Sequence, residues 1–367
     1  MTEFRLTKLA SSLPASVPFV GPETQERALG QRFNARLGAN ENVFGPSPSA
    51  IRAMAETPQW MYGDPENFDL RSALARHLKT DIENVMVGEG IDGLLAYLVR
   101  LFVAPGDAVV TSDGAYPTFN YHVAGFGGIL HKVPYVEDHE DPRTLFAKAR
   151  EVGAKLVYLA NPDNPMGSTH KGADIADALT ELPSDTLLVL DEAYIECAPH
   201  DTHVPLSFSD PRLIRLRTFS KAYGLAGARV GYAIGAPDLI AAFNKVRNHF
   251  GMNRSAQEGA LAALADQTWL RSVLARISSS RLRIAKIASG CGLKPLPSAT
   301  NFVAIDCGRD GAFAKSVLDN LVEQGVFVRM PFVEPQNRCI RVSCGTPADL
   351  DFLAEFLPHA LRTAENS

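Results

Sequence analysis

The 367-residue sequence has no run of about 20 apolar residues, no cysteine pair in C-x-x-C spacing and no excess of basic charge. The first absence excludes a membrane-spanning helix. The second, with five cysteines at 197, 291, 307, 339 and 344, fits reduced and mostly buried thiols in a reducing compartment. A formal charge of -5 with the signs interspersed leaves no basic stripe, so nucleic acid is not an expected partner. The opening residues, Met1-Thr-Glu-Phe-Arg-Leu-Thr-Lys, lack the unbroken apolar core of a signal peptide. His122, His131, His139 and the His200/His203 pair show no metal-ligand spacing, so no metal is expected. There is no internal repeat and no low-complexity linker. The expectation is a cytoplasmic protein long enough for a large core and two domains.

Residues 1–36 read as an irregular arm, because Pro14, Pro18, Gly21 and Pro22 interrupt any periodicity. Leu70, Ala73, Leu74, His77 and Leu78 then mark an amphipathic helix. Short apolar runs follow at 85–87, 108–111, 155–160, 187–190, 213–216 and 230–234, with helical stretches between them. Continuous apolar runs, rather than strict alternation, predict strands covered on both faces in a mostly parallel sheet. After about residue 250 the texture changes to long helices at 256–266 and 268–289. Strands at 301–305, 326–328 and 339–342 and a last helix at 347–362 follow, as in a smaller α+β domain. The expected division is an arm at 1–36, a large domain at 45–250, and a small domain from 37–44 with 251–367.

In open α/β sheets ligands gather at the carboxyl ends of strands, and the polar clusters of the first 230 residues fall there. Lys221 follows the run Leu213–Leu216, is flanked by Thr218 and Ser220, and is followed eight residues later by Arg229. Asp191-Glu192-Ala193-Tyr194 follows Leu187–Leu190. A buried carboxylate at one strand end and a lysine at another suit an enzyme holding pyridoxal 5′-phosphate, an electron sink attached as a Schiff base. Gly88-Glu89-Gly90-Ile91-Asp92-Gly93 could cradle a phosphate at a helix N-terminus, or be a tight turn capped by Asp92. Asn161-Pro162-Asp163-Asn164-Pro165-Met166-Gly167 could be turn chemistry alone, or could fix Asn164 at the sheet edge to donate to a phenolate oxygen. Read singly, Asp191 could cap a helix, and Tyr194 and Tyr62 could be packing residues.

Taken together and in order, these segments resemble the fold type I aminotransferases that use pyridoxal phosphate. Leu37-Gly38-Ala39-Asn40-Glu41-Asn42, Met61-Tyr62-Gly63-Asp64-Pro65 and Cys339-Ile340-Arg341-Val342-Ser343-Cys344-Gly345-Thr346 are similar to the histidinol-phosphate aminotransferase family. The resemblance implies a seven-stranded, mostly parallel sheet in a large domain, a smaller α+β domain, and a homodimer. It makes Lys221 the Schiff-base lysine and proton shuttle, Asp191 the partner of the pyridine nitrogen, and Asn164 and Tyr194 the donors to the ring's O3′. Phe119 is implied to stack on the ring. Gly90, Ile91, Asp92, Thr218, Ser220 and Arg229 are implied to hold the phosphate, with Tyr62 arriving from the neighbouring subunit. Asn40, Arg329 and Arg341 fall at the substrate end, the two arginines suiting a dianionic phosphate. Arg329 could instead be a surface charge pairing with Glu334.

Two positions depart from the family pattern: Met166 precedes Gly167 where a small or hydroxyl residue is usual, and Phe19 stands where an arm tyrosine is common. The expected activity is transamination of histidinol phosphate with 2-oxoglutarate. The alternatives on the same residues are an aromatic or other amino-acid aminotransferase, or a lyase or decarboxylase resembling threonine-phosphate decarboxylase. A transcription regulator with a degenerate aminotransferase domain would need a DNA-binding extension, and residues 1–36 lack helix-turn-helix patterning.

Overall fold

A computed structural model describes residues 4–15, 20–205 and 207–366. Seven strands form the central sheet in the order Val85–Gly88, Gly231–Ile234, Leu213–Thr218, Leu187–Asp191, Leu156–Ala160, Ala108–Ser112, Ile129–Val133. Gly231–Ile234 runs antiparallel to both its neighbours, and every other pairing is parallel. Helices cover both faces, which is why strand residues of both parities are apolar. Val109, Tyr158, Val189 and Leu216 join one core with Leu94 and Phe119. Val110, Val157, Leu159 and Leu188 join the other with Leu145 and Phe146.

Six of these strands lie where the apolar runs predict them. The seventh, Ile129–Val133, is an edge strand paired only to Ala108–Ser112. Its sequence, Ile-Leu-His-Lys-Val, buries only Val133 fully, so it carries no continuous apolar run to announce it.

The second domain has Phe302–Asp306 between Cys339–Ser343 and Lys294–Pro295, all antiparallel. Helices Gln267–Gly290, Gly311–Glu323 and Pro347–Glu365 close its core around Ile277, Val303, Leu321, Ile340 and Leu353. The last helix begins with a capping box, in which Thr346 and Asp349 satisfy each other's backbone N–H.

Two expected boundaries change. The arm is not irregular: Lys8–Ser12 and Pro22–Leu29 are helical, and Pro22 occupies the first turn, where a missing N–H costs nothing. Ala35–Arg36 leaves the arm altogether and pairs parallel to Val326–Phe327. Nor does small-domain packing begin at 251. Helix Arg254–Ala265 lays Ala256, Ala260 and Ala263 into one core with Ala50 and Leu74, against helices Pro48–Glu56 and Phe68–Leu78. The changeover runs along helix Gln267–Gly290, whose Leu270 packs with the large domain and whose Val273 packs with the small one. Among the described residues no helix is long and apolar enough to cross a membrane.

Candidate active site

Parallel register brings the polar strand ends side by side. Asp191 is in register with Ala160 on one side and Leu216 on the other, and its carbonyl accepts from the N–H of Asn161 (2.9 Å). Gly231 opposes both Gly88 and Thr218. A Cβ at Gly231 would lie 2.7 Å from the carbonyl carbon of Gly90, so only glycine lets the strand and the helix start meet this closely. These ends and one edge of the small domain enclose a cavity of about 560 Å³.

At one end of the cavity helix Gly90–Phe102 begins, with Ile91 and Asp92 on the wall. Gly90 is not itself on the wall; at φ 75° it leaves room for the Arg229 guanidinium, whose Nη2 a Cβ would approach to 2.6 Å. Arg229 donates to Asp92 Oδ2 (3.1 Å), to the carbonyl of Ala226 (3.0 Å) and to Ser220 Oγ (3.4 Å). Thr218 Oγ1 donates to Ser220 Oγ and accepts from the N–H of Ser220, both at 3.0 Å. A helix N-terminus, a guanidinium and two hydroxyls in one cup make an anion site.

Asp191 is buried at the cavity floor. Its Oδ2 accepts from the Tyr158 hydroxyl (2.7 Å) and its Oδ1 from the N–H of Ala193 (3.0 Å). Burial nevertheless pushes its carboxyl up to about 6. Phe119 does not face the cavity. It is fully buried and stacked on Tyr158, the rings 4.9 Å apart and 18° from parallel. The aromatic of this segment that does line the wall is Tyr116, whose hydroxyl donates to Asp92 Oδ1 (3.1 Å). The helix start decides between them: Pro117 opens helix Pro117–Gly125, which leaves Tyr116 outside as its cap and turns Phe119 into the core.

Lys221 Nζ donates to the carbonyl of Asn40 (3.3 Å), with the Tyr194 ring 5.5 Å away. Burial lowers its amine to about 8, with Arg341 as the next cause. Asn40 adopts a left-handed backbone (φ 53°) and ties the domains together. Its Nδ2 donates to the Tyr194 hydroxyl (3.0 Å) and its Oδ1 accepts from Ser343 (2.9 Å). Asn301 Nδ2 donates to the same Asn40 carbonyl (3.0 Å). Burial raises the Tyr194 hydroxyl well above an ordinary phenol, so it stays neutral and keeps a proton to donate while accepting from Asn40.

At the opposite end, Arg341 donates to Asn164 Oδ1 and to the carbonyl of Gly38 (3.1 Å). Its Nε is buried without a partner among the described residues, and burial lowers the guanidinium to about 10. Arg329 is joined to Arg341 by backbone pairing and donates to the carbonyl of Val20 (2.7 Å) in the arm. It lines the cavity and makes no ion pair with Glu334 among the described residues. Asn164 holds Arg341 through its oxygen, which leaves its Nδ2 without a partner among the described residues. Tyr62 lies away from this cavity, 81% exposed, with its ring 5.1 Å from Phe250. Phe19 lies outside the described residues.

Four residues that complete this geometry were not anticipated from the sequence: Tyr116, Tyr158, Asn301 and Ser343. Tyr158 was within reach, because it occupies the same parity as Leu156 and Ala160 in a strand that ends at the site.

Pyridoxal 5′-phosphate fits what is present. The anion cup suits its phosphate, the buried Asp191 suits a ring N–H, the Tyr194 hydroxyl and the free Asn164 Nδ2 suit a phenolate, and a half-buried lysine stands between them. Residues 35–357 match the family described as aminotransferase class I and II. A histidinol-phosphate aminotransferase of Anaeromyxobacter is 37% identical over 325 residues, 87% of this chain and 88% of that one. The histidinol-phosphate aminotransferase of Moorella thermoacetica is 34% identical over 91% of this chain and 87% of its own. Among solved structures, histidinol-phosphate aminotransferase of Sinorhizobium meliloti, crystallised with pyridoxal-5′-phosphate, superposes with a TM-score of 0.95 at 53% identity, covering 99% of each chain. The aspartate aminotransferase of Thermus thermophilus shares the fold at 21% identity, with a TM-score of 0.79 over 98% of this chain and all of that one. With a cavity of this chemistry and a match across nearly its whole length, the chain belongs to the class I and II aminotransferases.

Proposed function

We propose that this chain is a pyridoxal-phosphate-dependent aminotransferase whose amino donor is histidinol phosphate and whose acceptor is 2-oxoglutarate, serving histidine biosynthesis. One observation carries the choice of donor: Arg329 and Arg341 both open onto the cavity, and neither has a carboxylate partner among the described residues. Two guanidinium groups suit a phosphate dianion better than a single carboxylate. The 53% identity to a histidinol-phosphate aminotransferase over 99% of the chain supports the same reading.

When bound, the cofactor supplies an aldehyde that condenses with amines and a protonated pyridine ring that accepts the electron pair left at carbon. The chain's own groups do the rest. Asp191 keeps an acceptor at the floor that would face the ring N–H, and a cation there would return its carboxyl to the ionised form. Lys221 removes and returns the proton at the substrate's Cα; an amine lowered to about 8 holds a useful fraction of free base near neutrality. Tyr194 and Asn164 donate to O3′. Tyr116 supplies the stacking face that Phe119 cannot reach. Ile91, Asp92, Thr218, Ser220 and Arg229 hold the cofactor phosphate, and Arg329 and Arg341 hold the substrate's. Asn40 fixes Lys221 and Tyr194 relative to the small domain.

The active unit in this reading is a homodimer. Tyr62 and Phe250, 81% and 55% exposed, hold their rings 5.1 Å apart, and Trp60, two residues before Tyr62, is 85% exposed; exposed apolar surface of this kind marks a partner surface. The Tyr62 hydroxyl of one subunit then serves the cofactor phosphate of the other. Five cysteines with none in a disulfide suit the cytoplasm. The test is a single-turnover panel of amino donors, followed by the cofactor's visible absorbance. L-histidinol phosphate is expected to convert it fully and fastest. Conversion by phenylalanine or tyrosine with none by histidinol phosphate would refute the donor while leaving the aminotransferase standing.

A further inference from the structure

Behind the loop that carries Asn164 lies a pair of acids that the reaction does not touch. Glu140 and Asp163 are 1% and 2% exposed, and their carboxyls are in hydrogen-bonding contact. Two carboxyls so close in a dry interior cannot both be ionised, so a proton lies between them. The donors around them say which one holds it. Asp163 accepts from the Tyr135 hydroxyl (2.8 Å) on Oδ1 and from the N–H of Met166 (2.9 Å) on Oδ2. A protonated Asp163 would turn its own O–H against one of these donors. Glu140 accepts from the N–H of Ala160 (3.0 Å) on Oε1, and its Oε2 has no hydrogen-bond partner among the described residues. An oxygen in that position is satisfied when it carries the proton and donates.

We infer that Glu140 is a positioning residue for Asn164: its neutral carboxylic acid donates to Asp163, and the Asp163 carboxylate, held by three donors, fixes the 161–167 turn. The rest of that turn is locked from the other side. Asn161 Oδ1 accepts from the N–H of His170 (2.8 Å) and from Thr169 Oγ1 (3.0 Å), and the N–H of Asp163 donates to the carbonyl of Ser168 (2.9 Å). Asn164 is the polar side chain of the turn that remains directed at the cavity. The one charge kept on Asp163 also favours the charged form of Arg341, which grips Asn164 Oδ1.

Other groups face the pair from each neighbouring element. The phenols of Tyr135 and Tyr158 stay neutral because burial raises both. The Ser112 hydroxyl neighbours the Glu140 carboxyl without hydrogen-bond geometry. His139 adds a weak attraction to Asp163, and the His170 ring meets the backbone carbonyl of Glu140 (2.5 Å) rather than either carboxyl. Burial first, and Asp163 second, raise the Glu140 carboxyl well above the ordinary carboxylate range. The sign follows. An acid raised in the folded state contributes stability that is complete below its unfolded value and lost as pH rises toward the folded one.

This inference rests on the reading that Asn164 serves the cofactor, but its decisive test needs no cofactor. Infrared difference spectra of the apoprotein, wild type minus Glu140→Gln near neutral pH, are expected to show the carbonyl stretch of one protonated acid. Carboxylate bands in its place would overturn the proposal. The amide in Glu140→Gln keeps both a donor and an acceptor, so the variant's melting temperature is expected to gain on wild type as pH rises from about 6 to about 9. A constant difference would contradict the buried proton. In the holoenzyme, the pH midpoint of the cofactor's visible band is expected to stay within about 0.3 unit in Glu140→Gln and to move by about one unit in Glu140→Ala. Equal shifts in both would reduce Glu140 to a packing residue. Should Glu140→Gln fail to fold, carbon-13 NMR of glutamate carboxyls decides. It is run on Glu196→Gln, because burial pushes that second glutamic acid, elsewhere in the core beside Arg217, up to about 7. One carboxyl still protonated near pH 7 is expected, and none would overturn the inference.

Discussion

The half of the cavity proposed for the cofactor and the half proposed for the substrate are built on different mechanics. Within one chain, the groups of the first project from strand ends or a helix start of one sheet, and backbone register sets Asp191 beside Ala160 and Thr218 beside Gly231. The second is assembled across a domain boundary. Arg341 and Ser343 come from the small domain, Asn164 from the large one, and Val20 from the arm. A sheet that cannot shear holds one cofactor in one pose. A seam between two domains and an arm can differ among relatives while the chemistry beneath it stays the same, which is how one scaffold comes to serve many substrates.

If that contrast is right, damage to the sheet half removes chemistry for every donor alike. Lys221→Ala is expected to abolish turnover, a loss of more than about 10⁴-fold, with the circular dichroism spectrum unchanged. In the wild-type apoprotein, acylation of Lys221 followed by peptide mapping should rise through about pH 8, where the buried amine loses its proton. A midpoint near that of surface lysines would mean that the site is wetter than its geometry indicates. Asp191→Asn should still bind cofactor and lose about 10³-fold in kcat for all donors, because a neutral amide cannot hold the ring nitrogen protonated. Near-normal turnover would leave Asp191 as only a local acceptor for Tyr158 and Ala193.

The two aromatics of Ala115-Tyr116-Pro117-Thr118-Phe119 sharpen the point at smaller scale. Phe119→Ala is expected to cost about 3–5 kcal/mol of stability by denaturant unfolding, because it opens a cavity under Tyr158. Tyr116→Ala should leave stability nearly intact and weaken cofactor affinity by about tenfold. Reversed outcomes would return Phe119 to the ring.

What could be read from the sequence follows the same divide. That Lys221, Asp191 and Asn164 meet at one cavity was legible because each stands just past a buried apolar run, and strand ends in such sheets have fixed neighbours. Phe119 was misplaced because the residues leave the start of the helix open by one turn, and only the cap at Tyr116 settles which ring faces out. Strand Ile129–Val133 was missed because an edge strand needs little apolar sequence, and helix Pro22–Leu29 because proline starts helices as well as ending them. Glu140 and Asp163 read as ordinary charged residues. Nothing local to either indicates that folding brings them together, 23 positions apart, in the buried interior.

The substrate half is tested most directly by kcat/KM for L-histidinol phosphate and for glutamate, in wild type and in Arg329→Ala. The guanidinium of Arg329 is expected to matter for the dianion and little for the monocarboxylate end. Arg329→Ala should therefore lower the histidinol phosphate value at least about tenfold more than the glutamate value. Equal losses for both donors, or a wild type that does not turn over histidinol phosphate, would contradict the account of that half.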